Sequence, residues 1–222
     1  MPRPYRGKRA FDLAAVLVSA PVWLPVLGAV ALLVRRRLGA PVLFRQQRPG
    51  IGGRLFELRK FRTMTDARDA AGRLLPDVER LTPFGRWLRS TSLDELPELL
   101  NVLRGEMSLV GPRPLLPAYL PLYSERHRLR HAVPPGITGL AQVSGRNALT
   151  WPERFDLDVQ YAESNSLAGD VALLWQTLRA VLRREGISAA GDATMYAFTG
   201  YAPARPSPPT PAHAPPAPAD RP

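Results

Sequence analysis

The sequence predicts an α+β protein that is mainly helical, and three observations support this class. An apolar run without charged residues extends from Leu13 to Val34, which is typical of a membrane helix. Two short strand-like runs flank a glycine-rich turn, which predicts a small β-hairpin. Apolar residues recur at helical spacing in the second half of the chain. We therefore predict a re-entrant membrane helix hairpin at residues 1–37, a polar domain at 38–200 and a disordered tail at 201–222.

The composition indicates an anionic partner. The chain has 222 residues and a formal net charge of +11, which arginine carries almost alone because lysine occurs only at positions 8 and 60. Such a charge suits nucleic acid, lipid headgroups or a phosphorylated substrate. Cysteine is absent from the sequence, which excludes disulfides and thiolate metal sites. A nucleic-acid-binding protein would explain the charge, but no recognised reading module is present, and we expect no nucleic-acid partner.

Two features of the N-terminal segment favour a hairpin over a straight membrane span. As a helix, the run from Leu13 to Val34 would measure about 33 Å, enough to cross a bilayer. However, Pro21 and Pro25 interrupt its middle, and basic residues flank both of its ends. Because basic flanks prefer the cytoplasmic side, we predict that both ends lie on the cytosolic face of the cytoplasmic membrane. A single-pass anchor is the alternative.

The next elements are a β-hairpin and a short helix. Strand-like runs at 41–44 and 54–58 are joined by the turn Arg48–Gly53. This turn lacks the lysine and hydroxyl residues of a phosphate-binding loop, so we interpret it as a hairpin turn. Lys60 follows in the run Lys60–Met64, and a short helix is predicted at 82–88.

The candidate chemistry lies in the stretch from Leu88 to Pro114. Asp94 and Glu95 are adjacent there, with Arg89 before them and Arg113 after them. Arginine binds phosphate through paired charge-assisted hydrogen bonds, and a carboxylate carries a divalent cation. This combination therefore suits a site that holds a phosphate.

The same acids have a structural interpretation. Ser92–Glu95 matches a capping box, in which Ser92 begins a helix and Glu95 bonds back to it. Pro97 would then be the fifth helical residue, where its missing N–H removes a hydrogen bond. Alternatively, the regular helix begins nearer Pro97 and leaves both acids at its N-terminus, which favours anions. In both interpretations the helix ends at Gly105, because glycine is a common C-terminal helix cap.

The remaining segments contain several binding candidates. Residues 115–131 predict broken amphipathic helices at a membrane surface, with a plain surface helix as the alternative. The loop at 134–147 is rich in turn formers, and such loops often carry binding groups. Helices are predicted from Thr150 and at 167–185, the second amphipathic. Asp156–Asp158 matches a short metal motif, but we favour a solvated helix face.

Together these motifs resemble the bacterial sugar transferases, the monotopic polyprenyl-phosphate phosphoglycosyl transferases. The resemblance extends from Lys8 to about Gly200 and is closest to the smallest members, which are little more than a catalytic unit. The motifs that carry it are Lys8–Asp12, Lys60–Met64, Leu88–Pro97, Met107–Pro114, Pro135–Gly139, Gln142–Asn147 and Leu182–Gly186.

The resemblance implies an activity and a set of site residues. The implied reaction transfers a sugar 1-phosphate from a UDP-sugar to undecaprenyl phosphate with Mg²⁺ as cofactor, releases UMP and takes place beside membrane lipids. Asp94 would be the nucleophile and a magnesium ligand, and Glu95 a second catalytic residue. Phosphoryl oxygens would be held by Lys60, Arg89 and Arg113. The residues implied at the nucleotide sugar are Pro135, Gly136, Thr138, Gly139, Arg146 and Asp170. A membrane-anchored scaffold without activity is the alternative.

Overall fold

The computed structural model describes residues 1–145, 149–183 and 197–201. Its helices are α1 (Lys8–Leu38), α2 (Asp77–Arg80), α3 (Pro83–Ser90), α4 (Glu98–Arg104), α5 (Glu125–Arg128), α6 (Leu140–Val143), α7 (Trp151–Ser164) and α8 (Leu167–Arg183). Its strands are β1 (Leu43–Pro49), β2 (Leu55–Phe61), β3 (Ser108–Val110) and β4 (Gly136–Thr138). Short 3-10 helices lie at Ile51–Gly53, Leu93–Glu95, Pro117–Leu122 and Leu129–Ala132. The mainly helical α+β class is thus confirmed. Arg146 and the tail beyond residue 201 lie outside the described residues.

Helix α1 runs without interruption from Lys8 to Leu38 and includes both prolines. It is long and apolar enough to cross a membrane by length and composition. Near the prolines, the Ser19 hydroxyl donates to the Ala15 carbonyl at 2.7 Å and the Trp23 indole donates to the Val16 carbonyl at 2.9 Å. These bonds add side-chain donors to a helix that lacks two backbone donors. The two-armed hairpin is not confirmed, because α1 is a single helix.

One face of α1 packs on the polar domain along the whole helix. In its first half, Val16 and Trp23 pack with Phe56 and Val102. In its second half, a separate cluster joins α1 to the domain, and its buried members are Val30, Val34, Phe61 and Leu88. The opposite face exposes Leu17, Val18, Val22, Leu24, Val26, Leu32 and Leu33. Both halves of α1 therefore contact the same domain, while the outer face remains apolar.

The predicted β-hairpin is confirmed, with longer strands than the sequence indicated. β1 and β2 pair antiparallel with Leu43 opposite Phe61. Phe56 and Leu58 alternate with more exposed residues along β2, as expected when one face of a strand is buried. The end of β2 then carries Lys60 to the centre of the domain.

A second, parallel sheet of β3 and β4 was not predicted, because the segment that contains β4 is short and rich in turn formers. Ser108 pairs with Gly136, and Val110 pairs with Thr138. The two backbones approach so closely that a Cβ atom on Gly136 would lie 2.0 Å from the Gly111 nitrogen. Gly136 therefore has a packing role here, since only glycine permits this approach.

Residues 115–131 form short helices, as predicted, and two of their tyrosines are buried. Tyr119 and Tyr123 pack with Phe155 of α7 and with Phe198, and we call these four residues the aromatic cluster. The Phe155 and Phe198 rings meet edge to face, with their centroids 5.0 Å apart. The sequence of this segment did not reveal that α7 supplies partners for these rings. Contact of residues 115–131 with a membrane surface stays a prediction.

Helix α8 confirms the predicted amphipathic helix, although its apolar side faces outwards. Val171, Trp175 and Leu178 are exposed, whereas Asp170 and Leu173 are buried. The buried carboxylate of Asp170 has a partner in Lys8, which explains why a charged residue occupies the inner face. The domain thus presents a second exposed apolar surface in addition to that of α1.

Candidate active site

A cavity of about 1310 Å³ lies beside β1, β2, α7 and the segment that precedes α4. Six of the residues predicted for the site line this cavity: Lys60, Arg89, Asp94, Glu95, Arg113 and Thr138. Nine basic and five acidic side chains line it in total, so its walls carry excess positive charge. Such a cavity attracts anionic ligands.

The adjacent acids lie on a 3-10 turn, and the structure decides between the two sequence interpretations. Ser92 has a left-handed backbone conformation with φ of 55° and makes no side-chain capping bond. Helix α4 begins at Glu98, with Pro97 as its N-cap residue. The capping-box interpretation is therefore wrong, and the regular helix begins next to Pro97, as the alternative proposed. Gly105 ends α4 as predicted, with φ of 81°.

Arg89 is positioned by the packing of α3 on the segment after β2. Thr82 caps α3 by accepting a hydrogen bond from the Gly85 N–H at 2.9 Å. A Cβ atom on Gly85 would lie 1.8 Å from the Thr63 carbonyl oxygen, so the two segments are in direct contact. Arg89 Nε then donates to Thr63 Oγ1 at 3.1 Å, which fixes the side chain at the cavity wall.

Glu95 is held between two cations. Its Oε1 atom accepts from Lys60 Nζ at 2.5 Å and from Arg113 Nη2 at 2.6 Å. Burial by itself would raise the pKa of Glu95, but Arg113 and Lys60 outweigh burial and hold this pKa well below its usual range. Glu95 is therefore a permanent carboxylate, and it orients the two cations that face the cavity.

Asp94 has a different environment from its neighbour. It is 8% exposed and accepts no hydrogen bond from any residue that the structure describes. Burial, followed by the charge of Glu95, raises the pKa of Asp94 to about 6, although Lys60 and Arg89 act in the opposite direction. Asp94 is thus mostly ionised at neutral pH, and its oxygen lone pairs are available to a ligand.

Glu98 belongs to the same cluster, and the sequence analysis missed it. It is 2% exposed, and its Oε1 atom lies 3.0 Å from Lys60 Nζ without the geometry of a hydrogen bond. Burial raises the pKa of Glu98 to about 7 despite the nearby Lys60. The sequence did contain a signal for Glu98, because this acid follows Asp94 by four residues and lies at the start of α4.

A buried ion pair supports the loop that carries Arg113. Arg130 Nη2 donates to Asp158 Oδ2 at 2.6 Å and to the Arg113 carbonyl oxygen at 2.7 Å. Arg130 is 2% exposed and was not singled out from the sequence. The solvated-face interpretation of Asp156–Asp158 is therefore right for Asp156, which is exposed, and wrong for Asp158, which is buried.

The residues implied at the nucleotide sugar are dispersed in the structure. Thr138 lines the cavity, and its hydroxyl lies 2.7 Å from that of Thr177. Pro135, Gly136 and Gly139 do not line the cavity and lie at the β3–β4 contact. A Cβ atom on Gly139 would lie 2.2 Å from the Gly111 carbonyl oxygen, which gives this glycine a packing role.

Asp170 lies apart from the cavity, at the N-terminal end of α1. Its carboxylate is fully buried, lies 2.6 Å from Lys8 Nζ and accepts a hydrogen bond from the Tyr161 hydroxyl at 2.7 Å. Tyr5 donates a further hydrogen bond at 3.1 Å. In this arrangement Asp170 joins α1 to α7 and α8.

The residues of the cavity fit a magnesium ion that is bound jointly with a substrate. The described residues contain no group of three or more side chains able to hold a metal. Mg²⁺ commonly takes one or two protein carboxylates and completes its coordination with water and substrate phosphates. Asp94 offers such a carboxylate, because none of the described residues donates a hydrogen bond to it.

The chain is similar to known sugar transferases over most of its length. The family model for bacterial sugar transferases matches residues 4–184. An uncharacterised sugar transferase of Bacillus subtilis, EpsL, is 53% identical over 194 residues, which cover 87% of this chain and 96% of that protein. The UDP-glucose:undecaprenyl-phosphate glucose-1-phosphate transferase of Caulobacter vibrioides is 40% identical over 190 residues, 79% of this chain and 69% of that protein.

A third relative is longer than the region it shares with this chain. The undecaprenyl-phosphate galactose phosphotransferase of Salmonella typhimurium is 38% identical over 196 residues, 81% of this chain but only 41% of that protein. Because the family model covers most of the chain and these relatives are similar over most of its length, the chain belongs to the bacterial sugar transferase family of phosphoglycosyl transferases.

Proposed function

We propose that the protein transfers a sugar 1-phosphate from a UDP-sugar to undecaprenyl phosphate and releases UMP, as the first membrane step of glycan synthesis. Relatives named for glucose and galactose transfer to this lipid support the reaction class. The observation that carries the proposal is the contrast between the two adjacent acids. Asp94 is free of hydrogen bonds from described residues, whereas Glu95 is fixed by Lys60 and Arg113.

The proposed reaction has two displacements. An oxygen of Asp94 attacks the sugar-bearing phosphorus, the bond to the bridging oxygen breaks, and UMP leaves with that oxygen. A phosphate oxygen of undecaprenyl phosphate then attacks the same phosphorus and releases the carboxylate of Asp94. Each displacement exchanges one anionic oxygen for another, so neither step requires net proton transfer. The carboxylate of Asp94, with its free lone pairs, is therefore sufficient as the nucleophile, and no general base is required.

The surrounding residues stabilise negative charge during both displacements. Lys60, Arg89 and Arg113 would contact the transferring phosphoryl oxygens. Glu95 would keep Lys60 and Arg113 at the cavity wall, since it holds both through short hydrogen bonds. Asp94 would hold Mg²⁺, which would supply further neutralisation of negative charge when bound.

We further propose that α1 enters one leaflet of the cytoplasmic membrane and that both of its ends lie on the cytosolic side. Both halves of α1 pack on the same polar domain, which a perpendicular span would not allow. The exposed face of α1 and the exposed Val171, Trp175 and Leu178 of α8 supply apolar surface for membrane lipids.

The topology can be tested with single cysteines, because the natural sequence contains none. Cysteines introduced at Pro4 and at Ala40 are expected to react with an impermeant maleimide in inverted vesicles and to be protected in intact cells. Detergent-solubilised protein serves as the control for full reactivity. Reaction of the residue at position 4 in intact cells, with protection at position 40, would establish a straight span instead.

The activity is tested by UMP release from purified protein. With undecaprenyl phosphate, Mg²⁺ and a panel of donors that includes UDP-glucose and UDP-galactose, we expect UMP release that depends on the lipid acceptor for at least one donor. The panel also identifies the sugar. A folded protein that releases no UMP with any donor would favour the scaffold alternative.

A further inference from the structure

Arg48, at the end of β1, lines the cavity but has no role in the site described above. One of its terminal nitrogens, Nη2, donates to Gln46 Oε1 at 2.6 Å. Its Nε atom is buried and has no hydrogen-bond partner among the residues that the structure describes. No carboxylate of the described chain forms an ion pair with this guanidinium. Arg48 is partly buried, and a charge that is withdrawn from water without a counter-charge is destabilising, so this arrangement requires an explanation.

The groups that act electrostatically on Arg48 do not neutralise it. They are Arg113, Glu98, Tyr119 and Tyr123. Burial, followed by the charge of Arg113, lowers the pKa of Arg48. Glu98 is the acid among these groups, but it lies against Lys60 and is itself partly protonated near neutral pH, since its pKa is raised to about 7. Burial raises the pKa of Tyr123, so its hydroxyl stays neutral and supplies no counter-charge.

Of the two adjacent acids, Asp94 is not among the groups that act on Arg48, and Glu95 is already paired with other cations. Glu95 accepts hydrogen bonds from both Lys60 and Arg113, so one negative charge serves two cations. Arg48 adds a third cation to the same wall of the cavity. The cluster therefore carries excess positive charge where it faces the ligand space, and an anion there would compensate Arg48 and Arg113 together.

The backbone around Arg48 is held firmly. Arg48 pairs with Phe56 across the hairpin, and the Gly50 N–H donates to the Arg54 carbonyl oxygen at 2.7 Å. A Cβ atom on Gly50 would lie 3.3 Å from this same oxygen, which shows how tight the turn is. A side chain on a rigid, paired strand is a better ligand group than one on a loop, because less conformational freedom is lost on binding.

We propose that Arg48 binds a phosphoryl group of a substrate jointly with Arg113. This inference rests on the proposed function and adds a binding residue to it. A guanidinium offers paired donors that match two phosphoryl oxygens, and two guanidinium groups can share one tetrahedral anion. The phosphoryl group belongs either to the diphosphate of the donor or to the phosphate of the lipid acceptor.

The test uses Arg48→Gln with Arg54→Gln as the matched control. Both changes remove one positive charge from the same hairpin, but Arg54 is exposed and does not line the cavity. We expect Arg48→Gln to keep or raise the thermal midpoint of unfolding. The variant should lose most of the stabilisation that inorganic pyrophosphate gives the wild type. Its kcat/KM should fall by about 10- to 100-fold, as expected for loss of a charge-assisted contact. Arg54→Gln should retain both properties.

The kinetic constants distinguish the two sources of the phosphoryl group. A KM raised for the UDP-sugar assigns Arg48 to the donor diphosphate, and a KM raised for undecaprenyl phosphate assigns it to the lipid phosphate. The proposal is overturned if Arg48→Gln keeps the pyrophosphate effect and a kcat/KM within about two-fold of the control, or if only its thermal midpoint falls. The pyrophosphate measurement needs no turnover, so it still tests Arg48 if the wild type releases no UMP.

Discussion

Replacing Asp94 with asparagine is expected to lower sugar phosphate transfer by at least about 1000-fold, the scale of losing an essential nucleophile. Asparagine keeps the shape of the side chain, but its amide does not attack phosphorus and is a poor ligand for Mg²⁺. The neighbouring Glu95 cannot replace it, because its carboxylate is engaged by Lys60 and Arg113. Acceptor-dependent UMP release measures the loss.

Asp66→Asn is the matched control for this variant. Asp66 also lines the cavity, but its side chain is 64% exposed and pairs with Arg62. The same chemical change at this position should leave activity within a few-fold of the wild type, since the carboxylate of Asp66 is largely exposed and solvent screens its interaction with Arg62. A comparable loss in both variants would mean that activity follows the charge of the cavity and not the identity of Asp94.

The covalent step has its own direct measurement. Incubation of the wild type with a labelled UDP-sugar, without acceptor, should place a sugar phosphate on the peptide that contains Asp94, detectable by mass spectrometry. Steady-state kinetics should then show the ping-pong pattern of two separate displacements. If a donor that turns over gives no adduct and the kinetics require both substrates together, Asp94 is not the nucleophile and keeps only its magnesium role.

Replacing Asp158 with asparagine is expected to lower the free energy of unfolding by about 3–5 kcal/mol, the cost of breaking a buried ion pair from one side. Arg130 would remain buried as an uncompensated charge, since Asp158 accepts from both its Nε at 3.0 Å and its Nη2 at 2.6 Å. The carbonyl of Arg113 depends on the same guanidinium, so the loop of the active site should loosen as well. Thermal unfolding measures the effect.

Asp156→Asn on the same helix provides the comparison. The side chain of Asp156 is 55% exposed and pairs with Arg126 at the surface, so its loss should cost less than about 1 kcal/mol. Replacing Arg130 and Asp158 together by apolar residues should recover part of the stability, because no buried charge then lacks a partner. If Asp156→Asn and Asp158→Asn lower the free energy of unfolding equally, the roles assigned to the two residues are contradicted. If both changes instead remove the magnesium dependence of the activity, the result supports a metal motif at Asp156–Asp158.

Local patterns were the features best predicted from the sequence. The short helix predicted at 82–88 and the helix predicted from Thr150 are both confirmed, and Thr82 and Thr150 cap them. Gly105 ends α4, and the glycine-rich turn joins the two strands of the hairpin, as predicted. Each of these features depends on residues only a few positions apart, so the sequence contains all the information that is needed.

Features that depend on distant residues were missed or misinterpreted. The parallel pairing of β3 with β4 brings Ser108 next to Gly136, and no local pattern reports such a contact. Tyr119 and Tyr123 of residues 115–131 are buried by contact with α7 and Phe198, which the sequence of that segment did not report. Periodicity describes one segment at a time and does not identify the segment that will cover it.

The sequence by itself determined the family, the adjacent acids and the cationic residues around them, since these depend on residue identity and order. Only the tertiary structure decided how the two acids differ. Asp94 and Glu95 are neighbours in the chain, yet Lys60 and Arg113 converge on Glu95 and leave the oxygens of Asp94 available. Glu98 and Arg48 were likewise recognised as part of this charged cluster only from the tertiary structure. Electrostatic interactions depend on distance through space and on burial, and both are set by the packing of distant segments.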